Sequence, residues 1–426
     1  MHIFFSGIGG TAIGPLAQIA TQAGFTVSGS DKQASDYTDY LAQQGVDFHI
    51  GQSKDQIAKL HQEKPIDWYV YSSAVAMEQS QPEELLFCQE HDIKTSKRDE
   101  LINHILKQTG QKMIAIAGTH GKTTTTAMVI WLYKQLDIPI SYSIGAKIPF
   151  GDMGQFNQAA EYFVYEADEY DRNFLSFHPA LSIIAGIDWD HPDIYPTRES
   201  YNQAFQQFIN QSDSTYVWQD DAKKLDLKPR ENITILEKTD LANRFNLVGG
   251  VNRENAAIVV EAITDALDSA DKDTLITQMN QFPGLSRRFE ELAPNLFTDY
   301  AHTPAKIRGA IDIAKEHADN EVVVVYEGLH NTRQHFIKDE LVDVFSGAKK
   351  VYIVPSYRAR EDESLEDLTP EKLSEIISGM DSAPSELNQD LLDAIEQHRQ
   401  AGDLVLCLSA GGGGSLDEWL RQNVTN

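Results

Sequence analysis

Gly118-Thr119-His120-Gly121-Lys122-Thr123-Thr124 follows directly on the apolar run Met113-Ile114-Ala115-Ile116-Ala117 and leads into a helix-capable stretch through Met128, Ile130, Trp131 and Leu132. Strand, glycine turn and helix in that order suit a polyphosphate: glycines let backbone N–H groups turn toward phosphate oxygens, and the helix adds its positive end. Lys122 then places a cation on the β/γ-phosphates, and the Thr123 hydroxyl can ligate Mg²⁺. Isoleucine stands at position 116, where the common pattern has its first glycine, so the loop is a shortened variant. A nucleoside triphosphate arrives as its Mg²⁺ complex, which calls for oxygen or imidazole ligands nearby. Two segments offer them: Tyr165-Glu166-Ala167-Asp168-Glu169-Tyr170-Asp171 after the strand-like Tyr162-Phe163-Val164-Tyr165, and Asp188-Trp189-Asp190-His191 after Leu181-Ser182-Ile183-Ile184-Ala185. In an α/β sheet both fall at the carboxyl edge, where ligands bind. Alone, each is equally an acidic surface turn; beside the loop, Glu166 and His191 join Thr123 as the expected metal ligands.

A second glycine turn lies at the N-terminus. Gly7-Ile8-Gly9-Gly10 follows Ile3-Phe4-Phe5, and Ala12 and Asp31 complete a dinucleotide fingerprint with its acidic residue about 20 positions on. On these residues an NAD-dependent dehydrogenase is open, because a glycine turn at a helix start suits any diphosphate. The second nucleotide loop outweighs that fingerprint. Asp31 can meet the ligand or cap a strand-end turn, and His120 can contact nucleotide or pack.

These groups need rigid elements behind them. Short apolar runs alternate with helical patterns almost throughout, predicting α/β architecture with largely parallel sheets. The pattern restarts at Ile3, at Met113 and at Val322-Val323-Val324-Val325-Tyr326, with later strands at Val351-Tyr352-Ile353-Val354 and Leu404-Val405-Leu406. A chain of 426 residues makes two to four domains, at roughly 100–200 residues each. The polar stretch Lys107-Gln108-Thr109-Gly110-Gln111-Lys112, and Phe282-Pro283-Gly284 after a helical stretch from Asn252, mark boundaries. The expected division is residues 1–109, 110–284 and 285–426: a Rossmann-like N-terminal domain, a central P-loop ATPase-type domain and a C-terminal Rossmann-like α/β domain. Gly411-Gly412-Gly413-Gly414 follows a buried-looking strand and is expected to shape a strand-to-helix turn.

Composition sets the outer bounds. The net charge of −28 opposes a nucleic-acid partner, since such a surface repels a phosphate backbone. Apolar runs stay well short of the ~18 residues that span a bilayer, and Met1-His2-Ile3-Phe4-Phe5 lacks a basic leader. Cys88 and Cys407 have no metal or disulfide spacing, so a cytoplasmic protein with no membrane partner is expected.

Taken together, the motifs resemble the Mur ligases of peptidoglycan synthesis. The run Gly118 to Thr126 resembles that family's ATP loop, Glu166 its Mg²⁺-holding glutamate and His191 its metal-binding histidine. Asn252 and Asn255 match the Asn-x-x-Asn that helps seat the adenine nucleotide. Arg287-Arg288-Phe289 resembles the arginine motif near the central/C-terminal boundary, and Asp299-Tyr300-Ala301-His302-Thr303-Pro304 the element that opens the C-terminal domain. The resemblance therefore assigns Arg288 and Asp299 to ATP, and His302 and Arg333 to positioning the acceptor or nucleotide. It turns Gly7, Ile8, Gly9, Gly10, Asp31, Ser72, Ser73 and Ala74 toward a UDP-sugar rather than NAD. The matches run in one order over nearly the whole chain.

The N-terminal motifs, with Ser28-Gly29-Ser30-Asp31, are similar to the branch that adds L-alanine to UDP-N-acetylmuramate. Phe205 stands where several later ligases carry a modified lysine, which also favours this branch. Other residues depart from the family pattern: Gly186 replaces an asparagine, Val251 a histidine, and Glu327-Gly328-Leu329-His330-Asn331-Thr332-Arg333 retains chiefly Arg333 of Gln-Pro-His-x-x-x-Arg. Tyr170-Asp171 and Asn331-Thr332 are similar instead to a ligase that recycles a murein tripeptide onto the same sugar acid. The resemblance implies ATP and Mg²⁺, an acyl phosphate made from the muramoyl carboxylate, and attack on it by the amine. L-alanine is the expected acceptor and a short peptide the alternative. A non-catalytic relative that kept the fold is opposed by the intact Lys122, Thr123, Glu166 and His191.

Overall fold

The computed structural model describes residues 1–72, 82–191, 193–237, 241–267, 270–357, 361–362, 364–377, 379–410 and 414–424. Ser73, Ala74 and three of the four glycines at 411–414 lie outside the described residues. The described residues form three sheets. The first takes β1 (His2–Ser6), β2 (Thr26–Asp31), β3 (Asp47–Ile50), β4 (Trp68–Tyr71) and β5 (Lys94–Lys97) in the order β3-β2-β1-β4-β5, every neighbour parallel. The second takes β6 (Lys112–Ala117), β7 (Ser141–Ser143), β8 (Gly154–Gln155), β9 (Tyr162–Glu166), β10 (Leu181–Ile184), β11 (Thr215–Trp218) and β12 (Ile233–Leu236). Its order is β12-β11-β10-β6-β9-β7-β8, with only the β7–β8 hairpin antiparallel. The third takes β13 (Glu290–Ala293), β14 (Leu296–Asp299), β15 (Val322–Glu327), β16 (Lys350–Val354), β17 (Asp381–Pro384) and β18 (Leu404–Ser409), in the order β13-β14-β18-β15-β16-β17.

The central strands β1, β6, β15 and β18 are short, largely apolar runs because helices cover both faces of a parallel sheet. β15 and β18 are buried at every position. The helix Lys122–Gln135 buries residues all round, from Thr123 through Tyr133, as a helix enclosed by other elements must. In the first two sheets the strand order reverses beside the strand that carries a glycine turn, β1 and β6. Such a switch point opens a crevice at the strands' carboxyl ends.

The chain divides into two compact units, residues 1–245 with 254–282, and residues 246–253 with 283–426. The first unit holds the first two sheets. One cluster of buried side chains runs through both, taking Ile3 and Phe5, then Leu101, Ile102 and Ile105 of the helix Arg98–Thr109, then Met113, Ala115 and Phe163. The helix Gly250–Ala266 begins two residues before the Asn252 expected from the sequence, directly after Gly249, whose φ is +88°. Among the described residues no helix is long and apolar enough to cross a membrane.

Candidate functional site

The central loop is built by close backbone approach. Gly118 has φ +143°, and a Cβ there would stand 2.8 Å from the carbonyl oxygen of Gly186, which accepts from Thr119 N at 2.7 Å. No side chain fits, so glycine is required at 118. Gly186, a departure from the family pattern, is therefore a backbone partner of the loop. Gly121 caps the helix that opens at Lys122, with the side chain of the buried Asn255 close against it.

Several polar groups gather around this helix start. Lys122 Nζ donates to Gly118 O and to Glu169 Oε2, each at 2.6 Å, and Glu169 is 1% exposed. Burial alone would lower the Lys122 pKa, but Glu169, with Asp168 and Glu166 behind it, holds it above its ordinary value. Thr123 Oγ1 donates to Glu166 Oε1 at 2.8 Å, while Glu166 Oε2 accepts from Gly145 N at 2.9 Å. The Tyr201 hydroxyl lies 2.6 Å from Thr119 Oγ1 and donates to Glu169 Oε1 at 3.3 Å; burial pushes its pKa far up, keeping it a neutral donor. His191 Nε2 is 4.0 Å from Glu169 and 3.9 Å from Asp190, on a backbone with φ +56°. His120 faces Asp188 at 4.0 Å.

The expected metal set is thus split. Thr123 and Glu166 meet directly, while the carboxylates His191 faces are Glu169 and Asp190. Among the described residues no three His, Cys, Asp or Glu side chains converge as a metal-binding group. A Mg²⁺ ion keeps several waters and needs only one or two protein oxygens beside a substrate phosphate. The Thr123–Glu166 pair fits that requirement.

Glu169 is the residue the sequence reading missed. It lies in the acidic segment 166–171, three positions after Glu166, but nothing in residue type distinguishes the two carboxylates. Tyr201 carries no sequence signal of its own; Phe205, four residues on, is wholly buried with its ring 5.0 Å from those of Phe174 and Tyr201.

The N-terminal turn is arranged differently. Gly7 N and Ile8 N donate to Ser30 O at 2.8 and 3.0 Å, and Gly9 N donates to Asp31 Oδ2 at 2.8 Å. A Cβ on Gly9 would stand 2.7 Å from Thr38 Cγ2. Asp31 caps the turn here. Ser72 is half-buried at the end of β4.

In the second unit, Arg287 and Arg288 stack on Tyr300, their guanidinium carbons 4.9 and 5.3 Å from the ring centre. Asp299 accepts from Phe289 N at 2.8 Å; burial raises its pKa against the opposing charge of Arg288. His302 is buried, its Nδ1 2.8 Å from Tyr300 O, just before the helix Pro304–His317. Arg333 is half-buried in the first turn of the helix Asn331–Ile337. Asn252 donates to Val248 O at 2.8 Å.

Fold and loop together define a multidomain α/β protein with a glycine turn suited to a polyphosphate in its second sheet and another suited to a diphosphate in its first. The Mur ligase family catalytic domain matches residues 2–109, the Mur ligase middle domain 116–237, and the Mur ligase glutamate ligase domain 287–411. The chain belongs to the Mur ligase family. It is 27% identical over 448 residues to a UDP-N-acetylmuramate–L-alanine ligase of Clostridium acetobutylicum, covering 96% of this chain and 95% of that one. A UDP-N-acetylmuramate–L-alanine ligase of Clostridium botulinum is 29% identical over 450 residues, with the same coverage. Among solved structures, the fold is similar to that of the UDP-N-acetylmuramate–alanine ligase of Thermotoga maritima, with TM-score 0.74 and 22% identity over 97% of this chain and 96% of that one. It is also similar to a murein peptide ligase of Psychrobacter arcticus, with TM-score 0.64 and 21% identity over the whole of both chains.

Proposed function

We propose that this chain ligates L-alanine to the carboxylate of UDP-N-acetylmuramate, with ATP as the energy source, in peptidoglycan synthesis. The single observation that carries the chemistry is the buried Lys122–Glu169 pair set at a helix start beside Thr123–Glu166. The relatives named for this reaction, over nearly all of this chain, supply the substrates.

A bare carboxylate does not acylate an amine at neutral pH, because oxide is too poor a leaving group; transfer of the ATP γ-phosphoryl group turns it into an acyl phosphate. The N–H groups of loop 118–122 and the Lys122 ammonium would neutralise charge on the transferring phosphoryl group. Glu169 and Gly118 O fix that ammonium. Thr123 and Glu166 would hold Mg²⁺, which when bound would supply positive charge against the charge developing on the phosphoryl group. His191 is placed at the rim of the same cluster. The amine then attacks the acyl carbon, and phosphate leaves. The turn at Gly7–Gly10 would seat the UDP diphosphate. Residues 1–109, 110–284 and 285–426 then serve sugar nucleotide, ATP and acceptor in turn, with Asn252, Asn255, Arg288 and Asp299 serving ATP and Arg333 and His302 the acceptor or the nucleotide. A cytoplasmic location follows from the substrates.

A second acceptor, the tripeptide L-alanyl-γ-D-glutamyl-diaminopimelate, is favoured by one feature. Asn331 and Thr332 organise the loop before Leu368: Asn331 Oδ1 accepts from Leu368 N at 2.9 Å, and Thr332 N donates to Glu361 at 3.1 Å. These are the residues that resemble the recycling ligase. Phosphate release from ATP with UDP-N-acetylmuramate decides between the acceptors. Stimulation by L-alanine alone is the expected result; stimulation by the tripeptide alone transfers the chain to recycling, and release with neither overturns both.

A further inference from the structure

Segment 166–171 divides its four carboxylates between two parts of the first unit. Glu166 and Glu169 engage Thr123 and Lys122 of the phosphate loop at 2.8 and 2.6 Å. Asp168 lies 3.5 Å from Arg98, and Asp171 pairs with Lys97. Both cations belong to the first sheet's side: Lys97 ends β5 and Arg98 opens the helix that follows. Arg98 is itself largely buried, its side chain 15% exposed.

The backbone between these carboxylates is fixed. Ala167 N donates to Ile116 O at 2.9 Å, Phe174 N to Asp168 O at 3.2 Å, and the Tyr195 hydroxyl to Glu169 O at 2.6 Å. Asp171 and Arg172 hold φ of +55° and +58°, which non-glycine residues adopt only when their surroundings enforce it. One carboxylate therefore cannot shift without carrying its neighbours. On the other side, Lys97 is in register with Tyr71, and Tyr71 with Ser6, the residue immediately before Gly7. A straight line of three paired strands thus joins the acidic segment to the N-terminal glycine turn.

We infer that segment 166–171 is an interlock between the two nucleotide sites, and that Arg98 and Lys97 are positioning residues through which occupancy of the phosphate loop sets the affinity of the N-terminal turn. A triphosphate on the loop takes the third Lys122 N–H and draws the ammonium toward phosphate, pulling on its bond to Glu169. Glu169 is buried and cannot turn to water, so the segment must readjust, and Asp168 and Asp171 pass the adjustment to β5. Linkage makes the effect reciprocal: each ligand changes the other's affinity by the same factor. The inference rests on the proposed function for the identity of the two ligands.

The test is calorimetric titration of the full chain with UDP-N-acetylmuramate and a non-hydrolysable ATP analogue, each alone and each in the presence of the other, with no acceptor. The parent is expected to show a coupling factor of about 5-fold or more. In Arg98→Ala it should fall to within about 2-fold of none, while each ligand alone binds within about 3-fold of the parent. A merely structural role would weaken both single-ligand affinities and the melting temperature but leave the ratio intact, and that result overturns the inference. If Arg98→Ala does not fold, the more exposed pair decides: Lys97→Asp should lose the coupling, and Lys97→Asp with Asp171→Lys should restore it. Absence of coupling in a parent that binds both ligands also overturns the interlock. A parent that binds neither overturns the proposed function instead.

Discussion

The two glycine turns of the first unit share a plan and differ in what stands beside them. Each follows a buried parallel strand at a switch point of its sheet and leads toward a helix. At the first turn, Asp31 accepts the Gly9 N–H, and the helix starts only at Gly14, with Pro15 in its first turn. At the second, the helix starts at Lys122 itself, directly after Gly121, and Glu169, Glu166 and Tyr201 pack against the loop. A glycine turn by itself supplies only N–H groups and so selects phosphate; the cation and the carboxylates beside it decide whether phosphate is merely held or is transferred.

Removing the cation should widen that difference most. Lys122→Met is expected to lower ATP-dependent phosphate release by about 10³-fold or more. It also leaves Glu169 buried without its partner, at a cost of about 3–5 kcal/mol in stability. Adding Glu169→Gln should restore the melting temperature without restoring turnover. Retention of more than about a tenth of the parent rate in Lys122→Met would mean that Lys122 takes no part in the transfer and that the loop only holds nucleotide.

The two carboxylates can be separated next. Glu166→Gln should raise the Mg²⁺ concentration for half-maximal activity about 10–100-fold. Glu169→Gln should lower kcat while leaving the Mg²⁺ requirement near that of the parent. Equal Mg²⁺ shifts in both variants would place Glu169 in the metal site, with His191 beside it.

Smaller effects should follow from crowding each turn. Gly118→Ala meets the Gly186 carbonyl and an unfavourable φ, and should raise the KM for ATP about 10-fold, with strain of about 1–3 kcal/mol. Gly9→Ala meets Thr38 Cγ2 and should raise the KM for the UDP-sugar while sparing that for ATP. A variant that moved both constants equally would remove the distinction between the sites, unless Arg98→Ala abolished the cross-effect.

How far these features could be read in the sequence depends on whether they are local. The strands at Ile3, Met113, Val322 and Leu404 are continuous apolar runs ended by glycine or polar residues, and each appears within a residue or two of its expected place. The strand–turn–helix around Lys122 is equally local. Glu169 could not be separated from Glu166, because which carboxylate meets Lys122 depends on the turn after β9 and on Tyr201, 32 residues further on. Arg98 and Lys97 carry no motif at all; their partners lie 70 and 74 residues away. Asp31 could cap the turn or meet the ligand; its hydrogen bond from Gly9 N shows the cap and leaves the second role open.

The least effect belongs to Asp188, at the edge of the phosphate loop. His120 beside it, more than any other influence, holds its pKa below the ordinary 3.8; burial opposes this, and the Trp189 N–H assists. A carboxylate whose pKa is lower in the folded state stabilises the fold above its unfolded pKa, and that contribution is lost as pH falls through the folded value. Asp188→Asn should therefore lower the melting temperature slightly at neutral pH, by about 2 °C or less for so exposed a group. The two curves should converge as the pH drops below 3.8, where the parent carboxylate also becomes neutral. A gap that widened on acidification would reverse the sign, and would mean that burial, not His120, governs the Asp188 carboxylate.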